Sequence, residues 1–226
     1  MCLFAHCRSE LMFNYKMGEM RKICCFIVVI VLFLTSCSDD YLETAPTNQI
    51  PDVTVFQTVE GAQTVLDGVL RDMRSQHGGS NQHDQFGVKA IDLCVDLMGE
   101  DIVIEKFHWF GADYRFENRT ANDYRSLYAW SLYYRIIYNV NGVINHIDDA
   151  ASESESLKQN LKAQALTLRA YSYFQLVRLF QQSWSGNENS PGVPVYTDAT
   201  NEGKPRSSVA EVYRQITSDL QQAVEL

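Results

Sequence analysis

The sequence lacks the signatures that most often reveal a catalyst. It has no Ser/His/Asp arrangement, no phosphate-binding G-x-x-x-x-G-K-[ST] loop and no G-x-G-x-x-G turn, so nucleophilic and nucleotide-dependent chemistry find no support. The carboxylate pairs Glu100-Asp101 and Asp148-Asp149 are chain neighbours, and adjacency does not place two carboxyl groups across a glycosidic bond. His77 and His83 flank Gly78-Gly79-Ser80 with no third ligand nearby, which reads as a solvated loop and no metal site. Basic residues are scarce: 19 Lys and Arg stand against 28 Asp and Glu, a formal net charge of −9. That balance argues against nucleic acid and anionic lipid head groups as partners. No apolar run reaches the ~20 residues of a membrane-spanning helix.

One shorter run is present, and it is the most informative segment. Met20-Arg21-Lys22 supplies a positive start, Ile23 to Leu34 is continuously apolar, and Leu34-Thr35-Ser36-Cys37 closes it. This is the order of a secretory signal ending in a lipobox, in which the Cys37 thiol accepts diacylglycerol and becomes the first mature residue. Residues 1–19 fit no part of such a signal and read as a mis-assigned start, with translation beginning at Met20. Residues 20–36 are then the signal peptide, 37–53 a lipidated tether containing Pro46 and Pro51, and 54–226 the folded part. Removing residues 1–36 leaves 15 basic against 26 acidic side chains, a net charge of −11. Cys2, Cys7, Cys24 and Cys25 depart with the leader and Cys37 is acylated, so Cys94 alone remains. No intramolecular disulfide can form, and the fold must rest on its core.

Helical spacing dominates the remainder. Val59, Ala62, Leu66, Val69, Leu70 and Met73 share one helix face, with Gly78-Gly79-Ser80 as the stop. A second helix is predicted over about 122–148, with Leu127, Trp130, Tyr134, Ile137, Asn141 and Ile144 as its stripe. A third is predicted over about 157–181, with Leu166, Ala170, Tyr173, Phe174, Val177 and Phe180. The short polar connection 150–156 makes these two an antiparallel hairpin. Ser208 and Glu211 form a capping box ahead of Val209, Val212, Tyr213, Ile216, Leu220, Ala223 and Val224. That last face has no partner helix after it, which predicts a truncated frame or a fragment. Successive helix pairs of this length point to a degenerate tetratricopeptide-type repeat.

Trp130-x3-Tyr134-x2-Ile137-x3-Asn141, Ala165, Leu168-Arg169-Ala170-Tyr171-x-Tyr173-Phe174-x-Leu176 and Gly192-Val193-Pro194-Val195 occur in that order. Pro205-Arg206-Ser207-Ser208-Val209 and Glu211-Val212-Tyr213-x2-Ile216-x2-Asp219-Leu220-x2-Ala223 follow. Over residues 37–226 this series resembles the SusD/RagB-like surface glycan-binding lipoproteins of Bacteroidetes. The resemblance implies a mainly α fold of tetratricopeptide-like helix pairs with long irregular loops. It also implies a non-enzymatic nutrient-binding role with no cofactor, and a seat as lid on a SusC-like TonB-dependent transporter. Asp39 and Asp40, straight after Cys37, look like the family's signal for export to the outer face of the outer membrane. On this resemblance the chain matches roughly the N-terminal half of a family member, with much of the ligand site in later sequence.

Within these residues, Phe107-His108-Trp109-Phe110-Gly111-Ala112-Asp113-Tyr114 breaks the helical periodicity between two helices. Sugar rings present apolar C–H faces on which an indole or phenol can stack, while neighbouring Asp and His bond the hydroxyls. The family places aromatic contacts in a comparable loop, which makes Trp109 the first candidate and Tyr114 the second, with Asp113 and His108 beside them. Trp130, Tyr134 and Asn141 read as helix packing, with Asn141 bonding backbone. Arg169 reads as a structural ion pair or carbonyl cap. Two other functions are compatible with lipid and helices: a helical-repeat scaffold for another protein, and a surface glycoside hydrolase. The lipobox is checked directly by Cys37→Ala, which is expected to abolish palmitate labelling and release the protein from the membrane fraction.

Overall fold

The computed structural model describes residues 53–77, 83–99, 101–117, 119–152 and 154–226. The lipobox, the signal, most of the tether and the Gly78-Gly79-Ser80 stop lie outside these residues. The described part is mainly helical, with no strand.

A 3-10 turn, Val53–Gln57, leads into α1 (Val59–Asp72), whose N-terminus is capped by Thr58 Oγ1 accepting from the Gly61 amide at 3.2 Å. Gly61 is required by close approach: a Cβ there would stand 1.8 Å from the Val55 carbonyl oxygen. Then come α2 (Gly87–Leu97), the single turn α3 (Gly111–Tyr114), α4 (Tyr124–His146), α5 (Glu155–Phe180) and α6 (Val209–Glu225). A 3-10 turn at Ile147–Asp149 joins α4 to α5, and Ser154 Oγ caps α5 by accepting from the Leu157 amide. Thus α4 and α5 form the expected antiparallel hairpin, α6 packs along α5, and α1 packs against α4. The capping box at Ser208 and Glu211 is present with both of its bonds.

Helix α2 escaped the sequence reading because its start carries no capping residue. Gly87 begins it at φ 53, a left-handed backbone that glycine adopts freely, and the Val88 amide bonds the Met73 carbonyl at 2.8 Å. The only signal is its apolar face, Ala90, Ile91, Cys94 and Leu97, all buried.

Three of the expected faces are corrected. On α4 the most deeply buried residues are Leu132, Tyr133, Ile136, Ile137, Val140, Asn141 and Val143, while Trp130 and Tyr134 are half-buried and Leu127 is exposed. A helix covered on two sides, by α1 and by α5, has no single stripe. On α5, Phe174 is exposed and the inward positions are Arg169, Ala170, Tyr173, Leu176 and Val177. On α6 a partner does exist: α5 covers Val209, Val212, Ile216 and Asp219, leaving Leu220 and Val224 outside.

At the centre of the hairpin and α6 lies an ion pair. Arg169 is 5 % exposed and Asp219 is 0 % exposed. Arg169 Nε and Nη2 donate to the two Asp219 oxygens at 2.8 and 2.6 Å, and Nη1 donates to Asn141 Oδ1 at 2.9 Å. The Asn141 amide in turn donates to the Tyr196 and Asp198 carbonyls at 3.0 and 3.1 Å. The irregular segment after α5 is thereby held across α4, with Tyr134 donating to the Pro194 carbonyl at 2.8 Å. Tyr173 completes the attachment, its hydroxyl donating to the Tyr196 carbonyl at 2.9 Å and accepting from the Tyr196 amide at 2.6 Å. Both expectations for Asn141 and Arg169 hold, and the two residues belong to one network.

Breaking this pair from one side leaves an unmatched charge in the core. Asp219→Ala is therefore expected to cost about 3 to 5 kcal/mol in urea unfolding, whereas replacing exposed Val224 should leave the transition within about 0.5 kcal/mol.

Candidate ligand-binding site

The segment between α2 and α4 builds a cavity of about 270 Å³, near the small end of ligand pockets, which begin at about 300 Å³. Its floor is a second ion network. Asp113 on α3 is 3 % exposed. Arg125, in the first turn of α4, donates from Nε and Nη2 to the two Asp113 oxygens at 3.1 and 3.0 Å. Arg119 Nη2 reaches the Asp113 carbonyl at 3.2 Å and Oδ1 at 3.5 Å. From the other side Arg125 Nη1 donates to the Asp84 carbonyl at 2.7 Å, and Nη2 stands 3.7 Å from Asp84 Oδ2. One guanidinium thus joins the loop before α2, the α3 turn and α4.

Trp109 forms part of the cavity wall and is 46 % exposed, so its indole is available to a ligand. Tyr124 lies on another side with its ring stacked on Tyr128 at 5.8 Å, and Tyr128 is fixed by donating to the Gly87 carbonyl at 3.1 Å. Burial, followed by the nearby Asp84 charge, pushes the Tyr124 phenol up to about 12. It therefore keeps its proton, and its donor capacity, at neutral pH. Glu117 and Asp123 line the rim. Hydrogen bonds from Arg115 hold the Glu117 carboxyl below its ordinary range, and bonds from Thr120 do the same for Asp123. Beneath α3, burial pushes the Cys94 thiol well up, and its Sγ donates to the Ala90 carbonyl.

Of the four residues expected from sequence, Trp109 and Asp113 line the cavity. Asp113 does so as a buried carboxylate already held by two arginines. His108 is exposed and not part of the wall. Tyr114 is half-buried against Phe107 at 5.9 Å, and the Arg115 guanidinium covers the Phe107 ring at 4.8 Å. Tyr114 thus pins the loop rather than walls the cavity. Asp84, Tyr124 and Arg125 were missed. Their signal was faint: Asp123-Tyr124-Arg125 is a polar triplet at a helix start, and Asp84 lies 41 residues from the arginine that holds it.

The histidine reading is corrected in part. His77 is largely buried, and Arg135 Nη2 donates to its Nδ1 at 2.8 Å. A guanidinium can only donate, so Nε2 carries the proton and donates to the Asp72 carbonyl at 3.0 Å. His77 is a structural link between α1 and α4, with no free ring nitrogen. Among the described residues no group of acidic, Cys or His side chains is arranged to hold a metal ion, and no helix is long and apolar enough to cross a membrane.

Among the described residues, antiparallel helix pairs clasping long irregular segments define a mainly helical protein of tetratricopeptide-like architecture. The chain belongs to the SusD-like family, whose description is "starch-binding associating with outer membrane", with residues 40–226 matched. It is 25 % identical over 213 residues to SusD-like protein P2 of Formosa agariphila, covering 91 % of this chain and 38 % of that protein. It resembles a SusD-like carbohydrate-binding protein from Bacteroides vulgatus at 31 % identity and a TM-score of 0.68, covering 75 % of this chain and 36 % of that structure. A SusD superfamily protein from Bacteroides thetaiotaomicron is similar at 28 % identity and a TM-score of 0.59, with 74 % and 37 % covered. The chain thus spans well under half the length of these relatives.

Proposed function

We propose that this chain belongs to a cell-surface lipoprotein that captures oligosaccharide and acts as a lid on a SusC-like TonB-dependent transporter of the outer membrane. The observation that carries the reading is the half-exposed Trp109 indole on the wall of a cavity with a rigid ionic floor. An indole offers a flat apolar face to a sugar ring, while fixed acceptors and the protonated Tyr124 phenol can bond its hydroxyls. The family's description and the carbohydrate-binding relative in Bacteroides vulgatus support glycan as the ligand. Lipidation at Cys37 and the tether to residue 53 would keep the binding body at the membrane, facing the exterior.

The two rim carboxyls do not suit the acid role in glycoside cleavage. A glycosidase acid needs a raised pKa to hold its proton, and the rim carboxyls of Glu117 and Asp123 are instead held low. A scaffold role has one observation in its favour, the exposed apolar residues Leu220, Val224 and Leu226 at the end of α6.

Trp109→Ala in the full-length protein is expected to weaken oligosaccharide binding by about 1 to 3 kcal/mol in calorimetric titration; unchanged affinity would remove the indole from the site. Affinity capture from outer membranes separates the lid from the scaffold. Recovery of a TonB-dependent transporter is expected, and its absence alongside other captured proteins would favour the scaffold.

A further inference from the structure

The turn that ends α3 carries an aromatic ring that the fold does not use. Two bonds close that turn: the Glu117 amide donates to the Ala112 carbonyl at 2.8 Å, and the Phe116 amide donates to the Asp113 carbonyl at 3.1 Å. This is a common helix ending in which the residue before the last donor is left-handed, a place ordinarily filled by glycine. Here it is Phe116, at φ 58, the only described residue other than glycine with a positive φ. A left-handed backbone costs free energy for any L side chain, and a bulky one rarely adopts it. Burial of the ring does not offset this. Phe116 is 65 % exposed, with no ring or cation against it among the described residues, whereas neighbouring Phe107 is met by Tyr114 and by the Arg115 guanidinium.

The turn is nonetheless fixed. Arg115 forks onto both oxygens of Glu117 at 2.9 Å, so the residues on either side hold Phe116 in place. Ala112, Asp113 and Glu117 line the cavity and Phe116 does not, which sets its ring on the rim outside the wall. The cavity itself is small. At about 270 Å³ it lies below the ~300 Å³ at which ligand pockets begin, so an oligosaccharide with one unit inside must run its following units over the rim. An exposed flat ring there can stack on the C–H face of such a unit, and a ring held beforehand by its turn loses little freedom on binding. Backbone strain kept beside a cavity fits the same use.

We propose that Phe116 is a second stacking residue, outside the cavity: Trp109 meets the sugar unit that enters, and Phe116 meets a following unit of the same chain. This rests on the reading of the cavity as a glycan site. The left-handed backbone at Phe116 is retained for binding although it destabilises the turn.

The test titrates the full-length protein with maltoheptaose, laminarihexaose and mannohexaose, and uses Trp109→Ala to mark the site. Phe116→Ala removes the ring and keeps the left-handed strain, whereas Phe116→Gly removes both. Each is expected to weaken a Trp109-dependent probe by about fivefold or more, and Phe116→Tyr, which restores a ring, should recover most of that loss. Only Phe116→Gly should also raise the midpoint of urea unfolding, because glycine relieves the strain. Unchanged affinity in both ring-deleted variants, with Trp109→Ala still disruptive, overturns the second stacking residue and leaves the glycan reading standing. If those variants instead lose capture of a transporter while sugar affinity holds, the ring belongs to a protein surface and the proposal falls equally. A lowered unfolding midpoint in Phe116→Gly would assign the ring to holding the turn, and overturns the binding role. Failure of every probe to bind, or binding indifferent to Trp109→Ala, overturns the glycan reading itself and the second residue with it.

Discussion

The described fold depends on the buried pair between Arg169 and Asp219. Two charges removed from water are tolerable only when each lone pair and each N–H finds a partner. Here the guanidinium is shared between Asp219 and Asn141, and Gln215 donates to the same carboxylate at 2.8 Å. The requirement fixes α5 against α6 and against α4, because no sliding of one helix past another keeps all of these bonds. Asn141 extends the constraint to the segment around Tyr196, which is irregular in backbone yet held by side chains from α4 and α5.

The cavity is organised on the same plan, one step further from the centre. Arg125 takes the place of Arg169, and Asp113 that of Asp219. The elements joined are a 3-10 turn at His83–Gln85, a single helical turn and the start of α4. Short elements cannot bury enough apolar surface to hold themselves, so ionic bonds with fixed geometry position Trp109 and Tyr124. The difference between the two networks lies in their completeness. Asp219 has both oxygens matched, whereas Asp84 has one, Oδ1, that is buried without a partner among the described residues.

The helix pairs were legible because their periodicity is local. Ser208 and Glu211 announce α6, and the polar connection 150–156 announces a hairpin, without reference to distant residues. Arg169 could also be assigned to an ion pair, since an arginine amid apolar helix positions needs one, although nothing local named Asp219 as its partner 50 residues on. Helix α2 was illegible for a local reason too: a left-handed glycine starts it where a hydroxyl or amide cap would ordinarily be sought. The stripe on α4 misled because the helix is buried from more than one direction, and periodicity reports a face only when one side is covered.

Half of the candidate site followed the same division. Trp109 stood out as an aromatic in a segment without periodicity, and it lies on a cavity wall. Tyr114 and His108 lie in the same segment, yet Tyr114 packs on Phe107 while His108 is exposed. What the sequence alone determined is the four long helices α1, α4, α5 and α6, the acidic balance and the residues able to stack or pair, since these follow from composition and short-range spacing. Which carboxylate is matched and which is left open was decided only in the tertiary structure. That outcome depends on where one guanidinium, Arg125, sits between residues 41 and 12 positions away, and hydrogen-bond geometry over such separations has no expression in local pattern.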